Sequence, residues 1–350
     1  MADEIGVGLI GYGMAARVFH APFVETVPRL KLKKVVERRG EESRRSYPHV
    51  EVVRDAAELW RDESIALVVV TTPNDSHFEL ARRSLLAGKH VVVEKPFTNT
   101  SGEALELIEL ARQQERLLSV HHNRRWDGDF LTVRSILEAG LLGRLVEFES
   151  RYERFRNQPR AGAWREEARP GSGILFDLGP HLIDQALVLF GQPRAVAADV
   201  RRQREFAQAD DYFELMLDYE GLKVTLRAGM LVREPGPRFA LHGTEGSFVK
   251  HGMDVQEEAL KRGLKPAGPG WGEEPEERWG TLDAQLGGLR VRGRVETVAG
   301  SYQSFYRNVA DAIEGRAELA VKPAEALATM RVIEAALRSS EQKCSVAFTP

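Results

Sequence analysis

A single cysteine, Cys344, in 350 residues leaves no intrachain disulfide, and it excludes thiolate zinc sites and iron–sulfur clusters held within one chain. The sequence also lacks any apolar run approaching the ~20 residues that cross a bilayer. Its first residues, Met1-Ala2-Asp3-Glu4, are acidic where a secretory leader is basic. Charge of one sign is missing too: 49 Lys and Arg stand against 52 Asp and Glu, a net −3, which argues against nucleic acid or a membrane surface as partner. These absences point to a soluble protein of a reducing cytoplasm.

What remains is an ordinary globular composition, 43% hydrophobic and 29% charged, in a chain longer than one typical domain. The first third alternates short β-branched runs with helical patterns: strands at 5–10, 32–37, 65–70, 90–94 and 117–120, with helices at 14–27, 76–87 and 101–115. Strands this uniformly apolar suit a parallel sheet covered on both faces, so residues 1–120 are expected to form a doubly wound Rossmann domain. Residues 121–350 change texture. Alternating segments at 145–155, 194–204, 211–219 and 223–231 predict a large, mainly antiparallel sheet, with helices at 176–190 and 323–339, an α+β domain. Residues 263–280, rich in Gly, Pro and Glu, carry no period and are read as a long surface loop, disordered or lid-like.

The run Gly11-Tyr12-Gly13-Met14-Ala15-Ala16 is G-x-G-x-x-A placed between a predicted strand and a predicted helix. Its first glycine permits a tight turn, its second lets backbone approach a pyrophosphate, and helix N–H groups face the anion. Cofactor choice rests on the next strand end, where Glu37 suits the ribose of NAD and Arg38 and Arg39 suit the 2′-phosphate of NADP; the arginines favour NADP. Thr71, Thr72, Pro73, Asn74 and His77 follow a buried strand, as do Glu94, Lys95 and Pro96, where open α/β sheets bind ligands. A lysine emerging there can stabilise an oxygen that gains negative charge as hydride leaves.

In the second domain, Asp177, His181 and Asp184 fall at i, i+4 and i+7, one polar stripe on an otherwise apolar helix. Histidine suits proton transfer near neutral pH, and a carboxylate one turn away can orient its ring. The segment His121-His122-Asn123-Arg124-Arg125-Trp126-Asp127 and the pair Trp164-Arg165 add polar groups fitted to a multiply hydroxylated ligand. Adjacent histidines on a strand point opposite ways, so no metal site is read.

G-Y-G-M-A-A, T-T-P-N-D-S-H, V-V-V-E-K-P-F, H-N-R-R-W-D and D-L-G-P-H-L-I-D-Q together make the chain resemble the glucose–fructose oxidoreductase, inositol dehydrogenase and rhizopine-catabolism (Gfo/Idh/MocA) family across its whole length. Within it, the likeness is greatest to the branch with NADP-dependent scyllo-inositol dehydrogenase. The resemblance implies that Lys95 lies beside nicotinamide and substrate, that Asp177 binds and orients the substrate, and that His181 accepts the hydroxyl proton. Gly11, Tyr12, Gly13, Met14, Ala15, Arg38, Arg39, the 71–74 run, His77, Glu94, Lys95, Pro96 and Asn123 are the expected cofactor residues. Asn123, Arg124, Trp164, Asp177 and His181 join Lys95 around the substrate. A homodimer or larger oligomer is also implied. The expected activity is NAD(P)-dependent oxidation of a secondary alcohol in a cyclic polyol or sugar. A non-catalytic dinucleotide-binding regulator and a redox-cycling glycoside hydrolase are the alternatives, since relatives with this fold include such a regulator.

Overall fold

Strands that are apolar on both faces can satisfy their surroundings only if helices cover both sides of the sheet. In the computed structural model, which describes residues 4–160 and 162–349, β1 (Ile5–Ile10), β4 (Leu67–Val70) and the core of β5 (His90–Val93) meet that condition and are buried along their lengths. With β2 (Leu30–Val36), β3 (Glu51–Val53) and β6 (Leu118–Val120) they form a parallel sheet in the order β3-β2-β1-β4-β5-β6. The expected strands are all present, each within a few residues of its predicted limits. The order reverses between β1 and β4, the place where open α/β sheets bind ligands.

The first unit comprises residues 4–126 together with Gln256–Trp271 and Ser301–Leu327. This differs from the division expected after residue 120. The returning segments are recruited by burial: Leu260, Tyr302, Phe305, Tyr306, Val309 and Val321 join one apolar cluster with Val7, Leu9, Phe23 and Leu32. Half-buried Trp126 and Trp271 pack against the same cluster.

The second unit, residues 127–255, 272–300 and 328–349, is built on nine strands. These are β7 (Leu145–Glu153), β8 (Ala195–Arg201), β9 (Tyr212–Tyr219), β10 (Leu222–Gly229), β11 (Phe239–Gly243), β12 (Gly246–Lys250), β13 (Gly280–Leu286), β14 (Leu289–Val295) and β15 (Val346–Ala347). Their order is β14-β13-β12-β11-β7-β10-β9-β8-β15. Most pairs are antiparallel, as expected, but β7 and β10 lie side by side in parallel, with Lys223 opposite Glu147 and Gly229 opposite Glu153. Alternation fixes which face is buried and says nothing of direction, so this pairing was not readable. The buried face carries Phe148, Phe213, Leu215, Leu217, Val224 and Leu226, and the Ile174–Phe190 helix packs on it.

The aperiodic 263–280 stretch is tied down at several points. Trp271 Nε1 donates to Gln256 Oε1 at 3.2 Å, Glu276–Arg278 forms a helical turn, and buried Glu274 accepts the Lys250 ammonium at 3.0 Å. The chain passes from one unit to the other between Trp271 and Gly272.

The Ile174–Phe190 helix begins at Gly173, whose φ of +89° favours glycine and where a Cβ would lie 1.9 Å from Asp210 Oδ1. Asp210 closes the helix start: its carbonyl accepts the Ile174 N–H and its Oδ2 the Leu175 N–H, both at 2.8 Å. Burial pushes the Asp210 carboxyl up to about 6, against the pull of the Leu175 N–H. A raised folded pKa means that the native state holds a proton which the unfolded chain has already released, so stability falls as pH rises from about 4 to 6. The cost above that window is about 3 kcal/mol. Asp210→Asn is expected to keep the Leu175 bond and to flatten this slope, as measured by urea unfolding at pH 4.5, 6 and 8. An unchanged slope would refute the assignment.

Candidate functional site

The glycine turn after β1 is shaped by the end of β4. Gly11 has φ +95°, and a Cβ there would meet Thr72 Cγ2 at 3.2 Å and Thr71 Oγ1 at 3.3 Å. The Thr71 hydroxyl donates toward the carbonyls of Ile10 and Gly11, at 3.0 and 3.1 Å, fastening the two strand ends together. Around Gly13 the situation is opposite: a Cβ would meet nothing within 4 Å. Helix starts at Met14, passes through a π-helical turn at Ala16–His20 and ends with Ala21–Thr26. An open cradle over Gly13 at a helix N-terminus fits a dinucleotide pyrophosphate. Tyr12 shares a hydrogen bond with Ser46, and burial raises its phenol pKa.

At the end of β2 the two opposed cofactor signals separate. The Glu37 carboxylate turns into the protein, where it accepts the backbone N–H of Glu42 at 3.0 Å and of Ser43 at 2.8 Å, and the Ser43 hydroxyl at 2.5 Å. It thereby caps the short Glu42–Ser46 helix. Arg38 and Arg39 are exposed, and among the described residues neither makes a side-chain hydrogen bond or ion pair. Arg54, which sequence reading passed over, donates to the carbonyls of Glu37 and Gly40 at 2.9 and 2.5 Å and holds this corner.

The remaining strand-end residues divide into those facing inward and those left partly open. Buried His77 lies between two backbone carbonyls, Nδ1 2.9 Å from Pro96 O and Nε2 2.9 Å from Thr72 O, so it clamps the loops after β4 and β5. A neutral ring can donate to only one of them at a time. Burial lowers its pKa despite both carbonyls. Thr72 and Ser76 share a hydrogen bond at 2.6 Å, Asn74 is buried and Lys95 half-buried, and the Lys95–Pro96 peptide is cis. After β6, His122, Asn123 and Arg124 are buried. Arg124 donates to Glu257 Oε2 at 2.5 Å, and Arg125 donates to Glu325 at 2.9 Å. Burial would raise the Glu257 carboxyl, but Arg124 and Lys261 hold it down at about 2.

In the second unit the helix carrying Asp177, His181 and Asp184 starts at Ile174, two residues earlier than expected. His181 and Asp184 are buried and Asp177 is half-buried. Arg165 Nε lies 3.1 Å from Asp177 Oδ1, with Arg154 at 3.9 Å from Oδ2. The Arg165 guanidinium also stacks over Trp164 at 4.4 Å. Arg165 thus joins the Asp177 carboxylate on one side and the Trp164 ring on the other. Arg154 was not foreseen, because it sits on a strand pattern that announces only alternation.

Because the space over Gly13 is open within the protein, Gly13→Val is expected to leave thermal stability within about 1 kcal/mol of the parent, while weakening dinucleotide binding about tenfold or more. Calorimetric titration beside thermal unfolding checks this; unaltered affinity would rule out the cradle.

Comparison with known proteins fits this geometry. The family described as oxidoreductase family, NAD-binding Rossmann fold, matches residues 5–122, and its companion, the C-terminal alpha/beta domain, matches residues 134–348. The chain is 42% identical to scyllo-inositol 2-dehydrogenase (NADP(+)) IolW of Bacillus subtilis, covering 98% of this chain and 96% of that one. It is 43% identical to the oxidoreductase YdgJ of Escherichia coli, with 99% of each chain covered. A solved oxidoreductase structure, yvaA from Bacillus subtilis, superposes with a TM-score of 0.96 at 41% identity, covering 100% of this chain and 99% of that one. The chain belongs to the Gfo/Idh/MocA oxidoreductase family and is an NAD(P)-dependent oxidoreductase acting on CH–OH donors.

Proposed function

We propose that the protein oxidises a secondary hydroxyl of a cyclic polyol of the scyllo-inositol type, with NADP as the preferred cofactor. The observation that carries the chemistry is the placement of His181 one turn beyond Asp177 on a helix otherwise committed to the core, with Arg165 at 3.1 Å from the carboxylate. The substrate class comes from the NADP-dependent scyllo-inositol relative.

Bound nicotinamide supplies the hydride acceptor. Gly11, Gly13 and the helix start at Met14 would bind the pyrophosphate, and the 71–74 run, Lys95, Pro96 and Asn123 would flank the rest of the dinucleotide. His181 takes the proton of the hydroxyl, and Asp177, oriented by Arg165, holds that hydroxyl by hydrogen bonding. The role assigned to Lys95 is to stabilise the negative charge that the substrate oxygen would gain on loss of hydride. Arg124 and Trp164 complete the substrate contacts. In the reverse direction the same groups act with proton flow inverted.

The NADP preference rests on the division of labour after β2. Glu37 is engaged with helix N–H groups and so presents no carboxylate to a 2′-phosphate, whereas the exposed guanidinia of Arg38 and Arg39 are uncommitted among the described residues.

His181→Asn is expected to lower kcat by ~10²–10⁴ with NADP binding unchanged. Reduced-nicotinamide formation against a panel of inositols and aldoses checks this, and normal kcat in the variant would remove His181 from the role. Arg38→Ala combined with Arg39→Ala should raise KM for NADP by about tenfold or more and leave that for NAD within about twofold. Equal effects on both cofactors would contradict the 2′-phosphate assignment.

A further inference from the structure

One buried carboxylate gathers four segments of the first unit. Glu94, immediately after β5, accepts the His20 Nε2–H at 2.6 Å and the His121 Nδ1–H at 2.9 Å on a single oxygen, Oε1. Its other oxygen, Oε2, accepts the backbone N–H of Lys95 at 3.0 Å. His20 Nδ1 lies 2.5 Å from the Tyr306 hydroxyl. All four side chains are buried, the His20 and His121 rings lie 4.1 Å apart, and Phe305 stands edge-on to His121. His20 belongs to the π-helical turn that follows the glycine loop, a local unwinding often found at functional positions.

The proton inventory of this cluster is fixed by its contacts. Burial, and then His121, push the His20 pKa down to about 4, so the ring is neutral. Its one N–H points at the carboxylate, and Nδ1 must accept from Tyr306, whose phenol burial keeps protonated. Burial would raise Glu94, but hydrogen bonds from His121 and His20 hold it well below the usual carboxylate range. Among the described residues His121 Nε2 is buried with no partner, which costs free energy and leaves the Nδ1–H to Glu94 as the hydrogen bond found for that ring.

The three ligand-type atoms of His20, Glu94 and His121 lie within 4.8 Å of one another. Zinc at about 2.0–2.1 Å from each would hold tetrahedral ligands roughly 3.3 Å apart. The 2.6 and 2.9 Å separations are those of N–H donors on a carboxylate.

We propose that Glu94 is a positioning residue for Lys95: anchored by His20 and His121, its carboxylate fixes the Lys95 amide and so couples the lysine's placement to the helix that follows the dinucleotide-binding turn. The catalytic use of that placement rests on the proposed function of Lys95; the positioning itself does not. An amide at position 94 can keep its oxygen on the Lys95 N–H only by turning its NH2 toward His20 and His121, which must then both exchange their N–H donors for lone pairs, so the hub is reorganised or one side of it is released.

Glu94→Gln tests this with two readouts. In wild-type and variant protein, Lys95 is labelled with acetic anhydride and its rate compared by mass spectrometry with that of buried Lys89 in the same sample. Lys95 labelling should accelerate roughly threefold or more while Lys89 does not change, because only the β5 turn is loosened. In turnover with NADP and scyllo-inositol, kcat should fall about tenfold or more, with NADP Kd within about threefold. Unchanged Lys95 labelling overturns the proposal. So does a rise in NADP Kd that matches the loss of kcat, which would make Glu94 a direct cofactor ligand. If the wild type turns over none of the polyols, the substrate reading fails and the labelling comparison still decides the positioning role. Tyr306→Phe, which removes only the hydroxyl donor to His20, should accelerate Lys95 labelling in the same direction by roughly twofold, and it serves where Glu94→Gln does not fold. No acceleration there would equally contradict the hub.

Discussion

The reversal of strand order between β1 and β4 is the constraint on which the first unit depends. Parallel strands end on the same edge, and where the order reverses the loops leaving neighbouring strands diverge, so a crevice opens that neither helix layer fills. The chain puts its least ordinary backbone there: Gly11 with φ +95° after β1, the Thr71 hydroxyl spanning to Ile10 and Gly11, and the His77 ring joining Thr72 to Pro96. None of these contacts binds a ligand by itself. They hold three strand ends in fixed relation, which is what a preorganised dinucleotide site requires.

Buried charge performs the same service in both units. In the first, a single carboxylate at position 94 is shared among two imidazoles and a backbone amide. In the second, buried Arg238 donates to Gln185 Oε1 at 2.7 Å and to the Tyr152 hydroxyl at 2.9 Å. It thereby fixes the rotation of the helix that bears Asp177, His181 and Asp184. Arg204 pairs with Asp211 at 2.9 Å and Glu166 at 2.8 Å, tying the segment after Trp164 to the start of β9. Such pairs are poor sources of stability, since desolvation offsets most of their attraction, but breaking one partner is costly, and they therefore define geometry.

Much of this was legible in the sequence. Uniformly apolar short runs, a glycine turn between strand and helix, and a polar stripe on an apolar helix are local patterns, and each fell where its period placed it. The features that escaped depend on distant partners. His20 reads as one more residue of a helix until Glu94 and Tyr306, far along the chain, are brought to it. Glu37 could be read as a ribose ligand or a repelled neighbour; that it caps the Glu42–Ser46 helix follows only from the tight corner held by Arg54. The return of 256–271 and 301–327 to the Rossmann core rests on Leu260, Tyr302 and Phe305 finding Phe23, a pairing that no period encodes. The β13–β14 hairpin did carry a signal, Gly287-Gly288 between alternating runs, but the outward arginines of 290–294 masked its strand character.

The central claim is hydride transfer from a polyol carbon to NADP at a site using His181. The most direct measurement follows the hydrogen itself: scyllo-inositol deuterated at its ring carbons, incubated with NADP and the purified protein, with the reduced cofactor analysed by NMR. Deuterium at C4 of the nicotinamide, together with a polyol ketone, is the predicted result. Protein that binds NADP yet yields no deuterated reduced cofactor from this or any related cyclic polyol would contradict it.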